Sequence, residues 1–138
     1  MFIATQVIAD YLDAEDIKYS VNESERASSV GVRFQCDNLP SIGVIFFSNS
    51  DDNDVSARAF SLVHVPEDKV SSMPATLNEL NKSFRFAKFV LDEDNDVNLE
   101  FDIPLKTPNV GEVAYEILQY MVQIGDHAYP LLMKALQS

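Results

Sequence analysis

The sequence predicts an α+β domain in which a mainly antiparallel sheet is flanked by helices, in the order α-β-β-β-β-α-β-β-α. Apolar and polar residues alternate over 30–36 and 97–103, a pattern typical of strands with one buried and one wet face. Three other segments repeat their apolar residues at spacings of three and four, which indicates amphipathic helices. Because consecutive strands are joined by short turns, we expect antiparallel pairing with the helices gathered on one face or end.

The first half of the chain contains one predicted helix and four predicted strands. Apolar residues between 3 and 12 keep a helical spacing, and residues 17–21 then alternate as a strand. After the strand at 30–36, residues 42–47 are apolar on both faces apart from Gly43. This run predicts a central strand covered on both sides. The fourth strand follows an acidic turn and ends before Pro66.

The second half contains a helix, a hairpin and a long final helix. The first of these begins near Ser72, which is available as an N-cap ahead of Pro74. The hairpin joins residues 86–91 to the strand at 97–103. The final helix begins near Asn109, and Pro130 should kink it because proline cannot donate a hydrogen bond to an earlier carbonyl.

Length and charge bound the class of protein. The chain has 138 residues, of which 46% are hydrophobic, and this fits a single globular domain over residues 1–138. Asp and Glu number 22 against 10 Lys and Arg, so the formal net charge is −12. Such an excess repels phosphate backbones and anionic membrane surfaces. We therefore expect neither nucleic acid nor a membrane as a partner.

Cysteine usage and the N-terminal sequence favour the cytoplasm. Cys36 is the only cysteine, so no disulfide can form within the chain, whereas small secreted domains usually contain several. The first residues lack the basic start of a signal peptide and reach Asp10 before any long apolar stretch. No apolar run approaches the roughly 20 residues that a membrane span requires. The expected location is therefore cytoplasmic.

The acidic turn before the last strand is the best metal candidate in the sequence. Asp92, Asp94 and Asp96 alternate there as they would at the start of a calcium loop. A calcium loop also needs Gly at its sixth position and Glu at its twelfth, and Val97 and Ile103 occupy those positions. We therefore predict a solvated hairpin turn and no specific metal binding.

No group of residues forms a recognisable catalytic or cofactor site. Cys36 could in principle pair with His64 or His127 as nucleophile and base. However, it lies in the apolar phase of its strand, which predicts a neutral buried thiol. The four glycines are isolated from one another, so the sequence contains no Gly-rich phosphate loop. The prediction is that this chain is not an enzyme, with no catalytic residue and no cofactor.

The last two helices supply the candidate partner surface. The final helix has only a narrow polar stripe, so its apolar residues must be covered from more than one direction. A three-layer domain could bury them within the chain, but a small chain has few elements for this purpose, so a homodimer or partner interface is an equal alternative. The apolar residues predicted to form this surface are Met73, Leu77, Leu80, Val113, Leu118, Met121, Val122, Leu132 and Leu136.

Several strings in the second half carry a family resemblance. They are residues 77–81 (LNELN), 86–92 (FAKFVLD), 97–100 (VNLE) and 128–136 (AYPLLMKAL). Together with the order of elements, they resemble the YbjN family of bacterial domains, which is itself similar to the type III secretion chaperone fold. Residues 125–127 (GDH) depart from the pattern, since better helix formers are expected there.

The resemblance implies a secretion-chaperone-like α+β domain with no catalytic motif. Chaperones of that fold are homodimers that hold extended segments of other proteins, and YbjN proteins are described as sensory-transduction or stress-related regulators. The first functional hypothesis is therefore a chaperone-like or regulatory module that binds a protein or peptide through apolar surface, as a homodimer. The alternative is a small-molecule-sensing regulator with a ligand pocket between the helices and the sheet.

Overall fold

Six strands form one antiparallel sheet in the computed structural model, which describes all residues from 1 to 138. The predicted α+β class and the predicted order of elements are both confirmed. A short 3-10 turn, Glu67–Lys69, precedes the second helix. The elements are α1 (Ile3–Ala14), β1 (Ser20–Glu23), β2 (Ser28–Gln35), β3 (Ser41–Ser48), β4 (Val55–His64), α2 (Met73–Ser83), β5 (Lys88–Leu91), β6 (Asp96–Ile103) and α3 (Val110–Gln137).

The strands lie in the order β1-β2-β3-β4-β6-β5. The first four pair as successive hairpins, as the short turns between them require. The chain then passes through α2 to the far edge at β5 and returns as β6, which pairs with both β4 and β5. None of the three helices combines the length and apolar character that crossing a bilayer requires.

All three helices pack on the same face of the sheet. Helices α1 and α3 contact each other and β3, while α2 contacts α3 and β5. On β3 the alternate residues Ile42, Val44 and Phe46 are therefore buried, whereas Ile45 and Phe47 on the opposite face are only partly covered. The prediction that this central strand is covered on both sides is wrong, because no helix packs on its second face.

Most of the predicted partner surface lies in the core of the single chain. Six of its members belong to one continuous cluster of 30 buried apolar residues: Met73, Leu77, Leu80, Leu118, Met121 and Leu132. They are unavailable as a surface because α1, α2 and the sheet together surround α3. Val113, Val122 and Leu136 are partly buried against the same cluster. The apolar faces of α3 are therefore covered within one chain.

Two element boundaries differ from the sequence prediction for local reasons. The first strand begins at Ser20 rather than at residue 17, because Asp16 takes a left-handed conformation (φ 58°) and the Ile17 amide still bonds the Leu12 carbonyl of the helix. Ser72 does stand at the N-cap of α2, but its hydroxyl makes no capping bond and donates to the Lys69 carbonyl instead.

The unusual residues 125–127 of α3 hold the β2–β3 turn. The Asp126 carboxylate accepts the backbone N–H groups of Asn38 at 2.7 Å, Leu39 at 2.9 Å and Asp37 at 3.3 Å. These bonds, that of Leu39 first, lower the pKa of Asp126 below its ordinary value. Asp126 therefore caps a turn that is distant in sequence, and this role explains a residue that is a poor helix former.

The neighbours of Asp126 complete this attachment. A Cβ at Gly125 would lie 2.7 Å from Ile42 Cδ1, so glycine lets α3 lie close to β3. Pro130 leaves the Asp126 carbonyl without its helical donor, and the Asn38 side-chain amide donates to that carbonyl at 3.2 Å. Helix α3 is helical on both sides of Pro130.

Candidate functional site: the open face of the sheet

The sheet face opposite the helices has no covering layer. Its side chains form cross-strand rows, and the central row is fixed by the strand register. In order from β1 to β5, that row is Ser20, Gly31, Ile45, Arg58, Glu100 and Lys88. The β1–β3 side is small or apolar and the β4–β5 side is charged, so the face is divided into two chemically different halves.

An apolar cluster lies at the middle of this face. It consists of Ile45 and Phe47 from β3 and Phe60 from β4. The Phe47 and Phe60 rings meet edge to face with their centroids 6.1 Å apart, yet Phe60 remains 50% exposed. A half-exposed aromatic ring on a bare sheet is typical of a contact surface, because its burial is left incomplete in the isolated chain.

Phe60 lies on the open face in phase with Ser56 and Arg58, and a β-bulge begins next to it. The pairing of β4 with β6 shifts register between Ala59 and Val63, and Ser61 within the bulge has a left-handed conformation (φ 55°). The Ser61 amide, which has lost its ladder partner, donates to the Oδ1 atom of buried Asn98 at 2.8 Å. The Asn98 side chain therefore stabilises the bulge, because it accepts a backbone N–H group that would otherwise lack a partner.

Two glycines form the floor of the apolar half. Gly31 faces Ile45 across the ladder, and Gly43 faces Arg33. A Cβ on Gly43 would come within 2.6 Å of the Arg33 Nη2 atom, so the guanidinium lies directly over the bare backbone of β3. A glycine inside a strand often marks such a close approach, and Gly43 is an example.

These residues enclose a shallow cavity of about 670 Å³. The apolar cluster forms one wall, and Ser20, Asn22 and Lys18 approach from the side of β1. The volume lies within the range of small-molecule sites, and the combination of apolar walls with a few convergent polar groups is typical of them. By contrast, the space between helices and sheet, where the sequence placed a pocket, is filled by the continuous core.

Charged side chains on the β4–β5 side of the face form ion pairs with one another. Arg58 donates to the Asp102 carboxylate at 2.8 Å, and its Nε atom lies 3.8 Å from Glu100. Arg58 also donates to the carbonyls of Ala57 and Phe101. All three of these bonds come from the Nη1 atom, so the sheet holds the Arg58 side chain in place and the Asp102 carboxylate balances its charge.

Sequence reasoning did not find this face because it assigned Phe47 to a covered strand and gave Phe60 no face. Phe47 belongs to the apolar run 42–47, which predicted a strand covered on both sides. Phe60 falls in the exposed phase of β4, and the sequence gives no sign of the bulge beside it. The available signal was Phe60 itself, since Ser56 and Arg58 precede it at alternate positions on β4 and are polar. An aromatic residue in a polar phase indicates a contact surface.

Of the residues considered for catalysis, Cys36 lies away from this face, whereas His64 lies at its edge, where it faces Asp96 across the β4–β6 ladder. Cys36 follows β2 and is only partly buried, and its thiol lies 3.9 Å from the Phe34 carbonyl. Burial first, and then the charges of Asp126 and Asp37, raise the pKa of the Cys36 thiol. His64 is bonded to Asp96 at 2.8 Å on the exposed side of the bulge. A thiol kept protonated in this way is a poor nucleophile.

The acidic turn uses its carboxylates internally. Asp92 accepts the backbone N–H groups of Asp94 at 2.9 Å and Asp96 at 3.0 Å, and the side-chain amide of Asn98 at 2.8 Å. These bonds, that of the Asp96 amide first, lower the pKa of Asp92. Asp92 therefore organises the turn and connects it to the bulge through Asn98. Nowhere do three His, Cys, Asp or Glu side chains come together as metal ligands would.

Titration with Ca²⁺, Mg²⁺ or Zn²⁺ should give no heat from a site tighter than millimolar. The physical reason is that the Asp92 carboxylate already accepts hydrogen bonds from backbone amides. The loop also lacks the bidentate Glu of a calcium site. Isothermal titration calorimetry checks this result. A micromolar site that disappears in Asp94→Asn would contradict it.

Comparison with known proteins agrees with the architecture. The sequence model of the YbjN family, described as "Putative bacterial sensory transduction regulator", matches residues 5–132. Among solved structures, YbjN from E. coli, described as "a putative transcription regulator", superposes with a TM-score of 0.54 at 18% identity, covering 93% of this chain and 94% of that one. No curated protein matches. The secretion-chaperone likeness stays a prediction. The family match spans nearly the whole sequence, and this chain belongs to the YbjN family.

Proposed function

We propose that this chain is a non-enzymatic regulator that binds another polypeptide through the open face of its sheet. The observation that carries the proposal is the half-exposed Phe60 ring, in edge-to-face contact with Phe47 on a sheet with all its helices on the other side. The family description as a sensory transduction regulator supports the regulatory part. The proposal includes a cytoplasmic location, which fits a chain whose single cysteine is a free thiol.

The physical argument concerns what a partner would gain at this face. Covering the exposed part of Phe60 is worth about 1–2 kcal/mol, and aromatic residues at the centre of an interface often contribute most of its affinity. The cavity beside it leaves room for a side chain of the partner. A partner could be a second copy of this chain, and the homodimer expected from the sequence would then pair through this face instead of α3.

Site-specific photo-cross-linking in the native cell tests the proposal. A p-benzoylphenylalanine residue at position 60 should give a cross-linked product of discrete mass. That product should be lost when Phe47→Ser removes the neighbouring ring, because the contact depends on the apolar cluster. A product of twice 15.5 kDa would identify the partner as a second copy.

Position 131 provides a matched control. Leu131 lies on α3, on the helix side of the protein, and is also 50% exposed. The same photoreactive residue there should give no discrete product. Equal cross-linking from both positions, or none from position 60, would overturn the proposal. Light scattering at micromolar concentration tests the dimer separately, and a 15.5 kDa species would exclude it.

A small-molecule-sensing regulator is the second candidate function, and one observation favours it. The cavity of about 670 Å³ on the open face has the size and the mixture of apolar and polar walls of a ligand site. Relative to the hypothesis from the sequence, the ligand moves from the helix–sheet interface, which is filled, to the opposite face of the sheet.

A further inference from the structure

The open-face cavity is basic in a chain that is strongly acidic. Twelve residues line it, and they include two cations, Lys18 and Arg33, but no carboxylate. In the whole chain Asp and Glu outnumber Lys and Arg by 22 to 10, so a cavity without any acidic residue stands apart from the rest of the surface. Neither cation forms a salt bridge within the protein. The two positive charges are therefore available to an anion.

Arg33 is held in position with most of its donors free. Its Nη1 atom donates to the Ser41 hydroxyl at 2.9 Å, and the guanidinium lies over Gly43. A guanidinium has five N–H donors arranged as a planar fork, and this single bond orients the exposed side chain while leaving the other donors to a ligand. Ile45 is two residues from Gly43 on the same face of β3, so the fork adjoins the apolar cluster.

We propose that this cavity binds a small amphiphilic carboxylate, with the carboxylate on Arg33 and the apolar body on Ile45, Phe47 and Phe60. The inference rests on the second candidate function, that the open face takes a small ligand. A carboxylate matches the guanidinium fork with two parallel hydrogen bonds. A ligand with one negative charge also suits a protein of net charge −12, which would repel a multiply charged anion over long range.

Matched eight-carbon amphiphiles test both parts of the inference. Octanoate, octyltrimethylammonium and 1-octanol share an apolar chain and differ in charge, and they are used below their micelle-forming concentrations. The chain's four glycines are natural NMR reporters, since Gly31 and Gly43 form the cavity floor and Gly111 and Gly125 lie in α3. Octanoate should shift the first pair of amide signals in a saturable way and leave the second pair unchanged.

Substitutions then identify the anion contact. Arg33→Gln should weaken octanoate about tenfold or more, the loss expected for charge-assisted hydrogen bonds. Gly43→Ala keeps the charge but displaces the guanidinium, because its Cβ would come within 2.6 Å of Nη2, and it should weaken octanoate as well. Arg85→Gln is the control, since it removes the same charge from an exposed site outside the cavity.

The outcomes separate this inference from the function on which it rests. If octyltrimethylammonium or 1-octanol shifts Gly31 as tightly as octanoate, or if Arg33→Gln changes nothing, a small-ligand site stands and its anion preference is wrong. If none of the three probes shifts Gly31 or Gly43, the inference is wrong together with the small-ligand function. Cross-linking at position 60 would then still decide whether a polypeptide binds there.

Discussion

Replacing Leu118 in α3 by glutamate should leave no folded protein at 25 °C. Leu118 is 0% exposed and belongs to the single apolar core. Removing a buried leucine side chain already costs about 2–5 kcal/mol, and an unpaired buried carboxylate adds several more. Because domains of this size are stable by only about 5–15 kcal/mol, the sum should exceed what the fold can tolerate. Circular dichroism with urea denaturation measures the result.

Two variants make the Leu118 experiment decisive. Leu118→Ala should fold with a reduced free energy of unfolding, by roughly 2–5 kcal/mol. Leu131→Glu, at a half-exposed position on the same helix, should change stability by less than about 0.5 kcal/mol. If Leu118→Glu instead gives a folded monomer, then Leu118 lies on a surface, as the homodimer hypothesis from the sequence assumed.

The misassignment of the α3 surface has a physical cause. Helical spacing in a sequence shows that a helix is apolar on more than one side, but it does not show which neighbours cover each side. In the structure α1, α2, β3, β4 and β6 all reach α3. These contacts join parts of the chain that are far apart in sequence. The burial of Leu118 and Met121 could therefore be predicted, but its source could not.

The strands and their order along the chain were easier to predict from the sequence. Alternation over Val97, Leu99 and Ile103 depends on a single local period, and the structure buries all three of these residues on the helix side. The open face escaped prediction because its features arise from pairing between strands. Arg33 lies over Gly43 only because the register of β2 and β3 places them opposite each other.

The role of Asp126 likewise could not be predicted from its local sequence, because its partners lie in the β2–β3 turn. Removing its carboxylate should have the second large effect on stability. Asp126→Ala should lower the free energy of unfolding by about 1–2 kcal/mol, the usual cost of removing a carboxylate that caps backbone amides. Its three acceptor bonds join α3 to the β2–β3 turn, so the loss should be concentrated in that turn. Urea denaturation measures the total. Hydrogen exchange of the Asn38 and Leu39 amides measures the local loss, and Asp94→Asn, in an exposed turn, serves as the control.

The same carboxylate should make stability depend on pH in a defined direction. Its pKa is lowered in the folded protein, chiefly by the Leu39 amide, whereas the unfolded chain has an ordinary value near about 3.9. The ionised form is therefore the one that stabilises the fold, and its contribution is complete above the unfolded pKa and lost as pH falls through the folded one. Asp126→Ala should be less stable than the natural protein at pH 6, and the difference should shrink below about pH 3–4. A difference that stays constant down to pH 2 would show that Asp126 acts through its shape and not through its charge.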